Sequence, residues 1–182
     1  MAKSKSAYSV AGKLGKLETH TFVVWVDNEA GVLARVVGLF SGRGYNIDSL
    51  TVAEVDKKNN LSRITIVTTG TAQVIEQIRL QLKKLIPIHK VADFLSGDKK
   101  IIYREMALFK VVSSLKKQEK AKKLCNKYNS AIVDKTNRSI VLQVTALKDD
   151  IDKLVNNLGP LGLASVSRTG AVAMTKGAEV FK

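Results

Sequence analysis

Residues 27–52 read D-N-E-A-G-V-L-A-R-V-V-G-L-F-S-G-R-G-Y-N-I-D-S-L-T-V, and the reading of this stretch decides the fold. Just before it, residues 21–26 form a short apolar run rich in β-branched and aromatic side chains, which predicts a strand. Inside it, Val32, Leu33, Val36, Val37 and Phe40 recur at helical spacing, with Ala34, Arg35, Gly38 and Ser41 on the other face. Gly42 and Gly44 end that helix, and residues 47–55 alternate as a second strand. A strand passed to a helix through a short polar loop leaves the first helical N–H groups without internal partners. Negative charge is favoured at that end of a helix, so the layout suits a small carboxylate ligand better than a reaction.

Outward from this stretch the pattern completes itself and then repeats. Residues 56–60 form a polar turn, and 61–68 a further strand. Thr71 can cap a helix whose apolar face is Val74, Ile75, Ile78, Leu82 and Leu85, and Ile88–Leu95 reads as a fourth strand after Pro87. Ser96-Gly97-Asp98 marks a linker, placed at 96–100. The second copy runs through a long strand pattern at 101–113 and a Lys-rich helix after Ser114 ending at Tyr128. Strands at 132–134 and 140–145 follow, then a helix with Asp149, Asp150 and Asp152 at its start and Ile151, Leu154, Val155 and Leu158 on one face. Gly159-Pro160 stops it, and the last strand, 163–166 and 171–174, is interrupted by Ser167-Arg168-Thr169-Gly170.

Twice βαββαβ predicts an α+β chain of two ferredoxin-like domains, over 19–95 and 101–182 after a basic disordered tail at 1–18. In each, both helices cover one face of an antiparallel sheet. Phe22-Val23-Val24-Trp25-Val26 is apolar at every position, so its other face also needs cover, and a second copy of the chain is the economical answer.

Composition sets limits on the rest. With 45% hydrophobic and 25% charged residues the chain is ordinary globular material, which argues against general disorder. Net charge is +3 over 1–18, +2 over 19–95 and +9 over 96–182, so the basic character belongs to the second half. The single cysteine, Cys125, excludes an internal disulfide; lysines around it can lower its pKa, but a buried apolar role fits a helix position better. No apolar run approaches the ~20 residues of a membrane span, and the first 17 residues lack a secretory core. A cytoplasmic protein without membrane contact is the expectation.

Within the candidate loop, any Cβ at Gly31 would crowd a ligand approaching the backbone. Asn28 supplies an acceptor and two donors, and Asn46 could do the same from across a dimer interface. Val32, Leu33 and Ile47 offer an apolar patch for a short aliphatic side chain. On spacing alone, Asn28 as a plain helix cap and Gly31 as a plain turn residue are equally good readings. Gly38, Gly42 and Gly44 are no phosphate loop, since no Lys-Ser/Thr follows them.

The segments D-N-E-A-G-V-L-A-R-V-V-G-L-F-S-G-R-G-Y-N-I-D-S-L-T-V and L-S-R-I-T-I-V-T resemble the small, regulatory subunit family of acetolactate synthase, whose first domain is an ACT domain. The resemblance runs from about Phe22 to Val91 and resumes more loosely through R-E-M-A-L-F-K-V, A-I-V-D and S-R-T-G-A-V-A-M-T-K-G. It implies a chain without catalytic residues or cofactors of its own. Such a chain binds a large subunit that carries thiamine diphosphate, magnesium and FAD, raises its activity, and confers feedback inhibition by valine held between two ACT domains of a homodimer. By motif it places Asn28, Gly31 and Asn46 against the effector, with Ala30, Val32, Leu33 and Ile47 lining the same place. D-N-E-A-G stands where many members have E-N-E/K-x-G, and K-T-N-R-S-I-V-L-Q-V is only approximately family-like. Trp25 adjoins the loop, so valine is expected to perturb its fluorescence.

Two rivals share parts of this pattern. An RNA-binding domain of the same strand order needs stacking aromatics on its central strands, and 61–68 has none, so no nucleic acid is expected. The stripe Lys116, Lys120, Lys123 and Lys127 suits a solvated face or an acidic partner better. A free-standing ACT sensor acting on another target differs only in what it binds. His20 and His89 lie far apart with no nucleophile or metal pattern around them, and Arg104 with Glu105 reads as an ion pair on a strand.

Overall fold

The computed structural model describes residues 15–178. β1 (Leu17–Asp27), α1 (Val32–Ser41), β2 (Ser49–Asp56), β3 (Leu61–Thr71), α2 (Ala72–Leu82) and β4 (Ile88–Leu95) build an antiparallel sheet of order β2-β3-β1-β4. β5 (Ile101–Val112), α3 (Leu115–Asn126), β6 (Ala131–Lys135), β7 (Ser139–Ala146), α4 (Lys148–Leu158) and β8 (Leu163–Arg168) repeat it in the order β6-β7-β5-β8. These are the two ferredoxin-like units that the repeated pattern predicts. The tail expected at 1–18 lies outside the described residues as far as residue 14, and Leu17 and Glu18 already belong to β1.

Alternation along β1 sets the layers. Phe22, Val24 and Val26 point to one face and are buried with Val36, Leu39 and Phe40 of α1 and Ile75, Ile78 and Leu82 of α2. Thr71 caps α2 as predicted, its hydroxyl accepting from the Val74 N–H at 3.4 Å. Asp149 and Asp150 occupy the first turn of α4, where they offset its dipole, and Ile151, Leu154 and Leu158 are its buried face. The face of α1 differs from the expectation. Leu39 joins the core, whereas Leu33 and Val37 are each 37% exposed. The 3.6-residue period places 32, 36, 39 and 40 on one side, and 33 and 37 lean off it.

The open face of the first sheet is covered by the chain itself. Residues 101–104 of β5 extend beyond the second sheet and pair with β9 (Val172–Thr175) as a two-stranded ribbon. Ile101 and Ala173 of that ribbon are buried with Val23 and Ala92, and Trp25, Phe94 and Tyr103 pack around them. This replaces the second copy of the chain as the cover for Val23, so the apolar run in β1 carries no argument for a dimer.

β8 and β9 both pair with β5, at 107–111 and 101–104, with the break at 169–171, which is the interrupted final strand expected from the sequence. Arg104 and Glu105 are not a pair. Successive strand residues face opposite ways, and the Arg104 guanidinium donates to the Tyr103 carbonyl. Glu105, 5% exposed, instead accepts two bonds from Arg168, at 2.6 and 2.8 Å, and Arg168 also reaches Asp152 at 2.6 Å. The hydrogen bonds to Glu105 are the largest cause holding the Arg168 pKa above its usual value.

Cys125 is fully buried on α3, and burial pushes its thiol up to about 11. The neighbouring lysines therefore do not activate it. A thiol-specific chromogenic reagent at pH 8 is expected to react with Cys125 only at the rate of unfolding and at once in denaturant. Rapid labelling of the folded protein would contradict the burial. Because the folded pKa is the higher one, the stability this thiol contributes is intact at neutral pH and is lost as pH rises from about 8.5 through about 11.

Candidate functional site

The loop between β1 and α1 is fixed from below and open above. The Asn28 N–H donates to the Asn60 carbonyl at 2.7 Å, and the Asn28 Oδ1 accepts from the buried Ser62 hydroxyl at 3.0 Å. With its oxygen engaged, the Asn28 amide presents its Nδ2 donors outward. Gly31 is the N-cap of α1 with φ +85°, a left-handed conformation in which a Cβ is strained, and there is open space where that Cβ would lie. No side chain caps the helix, and its first turn holds no acidic residue. The first intrahelical bond runs from Arg35 N to Gly31 O, so the amides of Leu33 and Ala34 precede it. Such an end attracts an anion.

Of the apolar residues expected here, Val32 turns into the core at 3% exposure and Ile47 packs half-buried on the same core. Leu33 and Ala30 are exposed beside the uncapped amides.

Asn46 does not meet Asn28 within one chain. Its carbonyl accepts from the Thr68 hydroxyl at 2.6 Å, whereas Asn28 is held at Ser62. Those anchors lie six positions apart on β3, which is about 20 Å along a strand. The Asn46 Nδ2 donates to Asp48 at 2.6 Å, and a carboxylate only accepts, so the orientation of this amide is fixed with Oδ1 outward. Asn28 thus offers donors and Asn46 an acceptor, at opposite ends of the sheet. β2 lies on the sheet's edge, where a two-fold axis perpendicular to it would pair two copies antiparallel and bring the start of one β2 to the end of the other.

Other candidates fall elsewhere. The Trp25 ring lies on the face away from α1, with the Arg63 guanidinium 4.9 Å from its centroid, so it reports on the β5–β9 ribbon and not on the loop. His20 bonds Asp93 at 2.7 Å with Glu18 3.7 Å from its other ring nitrogen, and His89 bonds Asp27 at 2.6 Å, with no nucleophile in either group. Lys116, Lys120, Lys123 and Lys127 are exposed along α3, opposite its buried Gln118, Ala121 and Cys125. Among the described residues no group of three or more His, Cys, Asp or Glu is arranged to hold a metal ion, and no helix is long and apolar enough to cross a membrane.

Two stacked βαββαβ units, the first with an uncapped glycine turn after its opening strand, define an ACT-type protein, and residues 22–90 match the family described as the AHAS small subunit-like ACT domain. Residues 104–177 match the family described as the small subunit of acetolactate synthase. A probable acetolactate synthase small subunit of Archaeoglobus fulgidus is 39% identical over 158 residues, covering 87% of this chain and 97% of that one. The acetolactate synthase small subunit of Haemophilus influenzae is 38% identical, covering 85% and 93%. The crystal structure of the acetolactate synthase small subunit from Thermotoga maritima superposes with a TM-score of 0.79 at 32% identity, over 88% of this chain and 99% of that one. The chain belongs to the acetolactate synthase small subunit family.

Proposed function

We propose that this chain is the regulatory subunit of an acetolactate synthase in branched-chain amino acid biosynthesis. It binds the thiamine-diphosphate-dependent large subunit, raises its activity and lets valine inhibit it. The division of labour follows the two units: 19–95 bind effector and dimerise, 96–100 link, and 101–182 complete the small subunit. The observation that carries the effector site is the complementary placement of Asn28 and Asn46. Two chains joined at their β2 edges bring the Asn28 loop of one beside Asn46 of the other, twice, by symmetry. The exposed Leu33 and Val37 on α1, with Val52 on β2, supply apolar surface for such a contact.

In that composite site the valine carboxylate takes the uncapped amides after Gly31 and the Nδ2 of Asn28. The ammonium is accepted by the Oδ1 of Asn46 from the second chain, and Ala30, Leu33 and Ile47 meet the isopropyl group. Valine has few heavy atoms, yet at a ceiling of about −1.5 kcal/mol per atom micromolar binding is attainable. A ligand that bridges two chains favours one arrangement of them over another, which is the condition for regulation.

Reconstitution tests this directly. The large subunit is assayed alone, with this chain, and with this chain plus valine. The expected outcome is higher activity with the chain, and loss of that gain with valine. A chain that neither co-purifies with the large subunit nor changes its rate would leave the free-standing sensor as the better reading.

A further inference from the structure

The strand that follows Asn46 is tied to the second domain at one place. The Thr51 hydroxyl donates to the Thr169 carbonyl at 3.0 Å, and the Ala171 N–H donates to the Ser49 hydroxyl at 3.1 Å. Between them sits Gly170, with φ +82°, where a Cβ would come within 2.6 Å of the Ser49 hydroxyl oxygen and 2.8 Å of that of Thr51. Only glycine fits this approach without displacing the Ser49 and Thr51 hydroxyls, and its left-handed φ favours glycine as well. The turn is anchored on its other side by Arg168, which grips the buried Glu105 of β5 and Asp152 of α4. Further along, Asp48 accepts from Asn46 at 2.6 Å and from the Thr69 hydroxyl at 2.7 Å, so the head of β2 is polar-bonded from Asn46 onward. A cavity of about 360 Å³, lined by Asp48, Ser49, Glu105, Lys148 and Arg168 among others, borders the contact and leaves the turn room to shift.

We propose that the turn 168–171 is the joint through which occupancy of the effector site reaches the second domain. The proposal rests on the reading that the effector contacts Asn46. A ligand that draws on Asn46 displaces Asp48 and Ser49, which lie two and three residues on, where the chain enters β2. Ser49 and Thr51 carry that displacement to the backbone of 169–171, and Arg168 passes it to β5 and α4. Interlocked hydrogen bonds and close backbone packing have few intermediate arrangements, which is what lets a small shift at one end select a state at the other. Ser49, Thr51 and Gly170 are therefore positioning residues for regulation and touch no ligand.

The test uses the reconstituted holoenzyme and the double variant Ser49→Ala/Thr51→Val, which removes the two side chains that clasp the turn and keeps β2 paired with β3. Valine affinity is measured for this chain with and without the large subunit. Coupling is reciprocal, so in the unmodified protein the two affinities differ, by about 5-fold or more for ordinary allosteric coupling. The variant is expected to bind valine within about 2-fold of the unmodified chain, to activate the large subunit equally, and to show a ratio near one with inhibition lost. Gly170→Ala reaches the same end by forcing the joint apart, and it serves where the double variant folds poorly. Folded variants that keep the unmodified ratio and full inhibition overturn the joint alone. Absence of valine binding by the unmodified chain overturns the effector reading and the joint together, so the two failures are distinguishable.

Discussion

Gly31→Asp is expected to abolish valine inhibition while leaving activation of the large subunit intact. The glycine holds φ +85° with nothing within 4 Å of the point a Cβ would occupy, so the new side chain meets no protein atoms. The backbone penalty for an L-residue there is about 1–2 kcal/mol. An Asp at an N-cap regains about 1 kcal/mol by accepting from the next amides, so the fold survives. The same bond is the reason the effector is lost, because the new carboxylate occupies the amides after Gly31 that a valine carboxylate would use. Hydrogen bonds to a charged group are worth about 1.5–3 kcal/mol, so the affinity should drop by about 10- to 150-fold. Gly31→Ala is the control: it has the same backbone penalty and the same Cβ beside the ligand but no competing carboxylate, so its valine affinity should fall less. Calorimetric titration of both variants decides the matter. Equal affinities for the Asp and Ala variants, or an Asp variant still fully inhibited by valine, would remove the carboxylate from this loop.

Much of this geometry is legible in the sequence, because β1, α1 and their joining loop are specified locally. Strand and helix periods differ, Gly31 is required by backbone conformation, and Thr71 caps α2 through a contact three residues away. The misreadings come from contacts that no local window contains. Arg104 and Glu105 look like a pair in sequence, yet the two-residue period of a strand already forbids it, and that rule was the available signal. The true partner, Arg168, stands across the ladder near Ala107, which shares its face with Glu105. Likewise, the continuous apolar runs at 101–103 and 172–174 show that both segments want cover. They do not show that the segments cover β1 and β4 of the other domain, which depends on how the two sheets stack. Leu33 and Val37 read as core because they are apolar near helical spacing, yet the 3.6-residue period already sets them at the margin of the face that 32, 36, 39 and 40 define.

Replacing Arg168 with methionine is expected to be among the most destabilising single changes in the second domain, and the reason lies with its partner. Glu105 is 5% exposed and receives both of its strong bonds from this one guanidinium. Removing the cation leaves a buried carboxylate uncompensated, which costs about 3–5 kcal/mol. Glu105→Gln is expected to be milder, by about 2 kcal/mol, because Arg168 keeps Asp152 at 2.6 Å and a side chain 31% exposed to water. The asymmetry distinguishes a buried charge from a merely broken contact. It also predicts that the double variant Glu105→Leu/Arg168→Met recovers much of the loss, since an apolar pair of similar size needs no compensating charge. For a chain of this length each kcal/mol moves the midpoint by about 2–4 °C, so Arg168→Met alone should lower it by about 6 °C or more. Thermal unfolding of the four proteins, followed by a signal from the second domain, gives the comparison. Strictly additive losses, with the double variant the least stable of all, would mean that Glu105 finds another partner when Arg168 is gone.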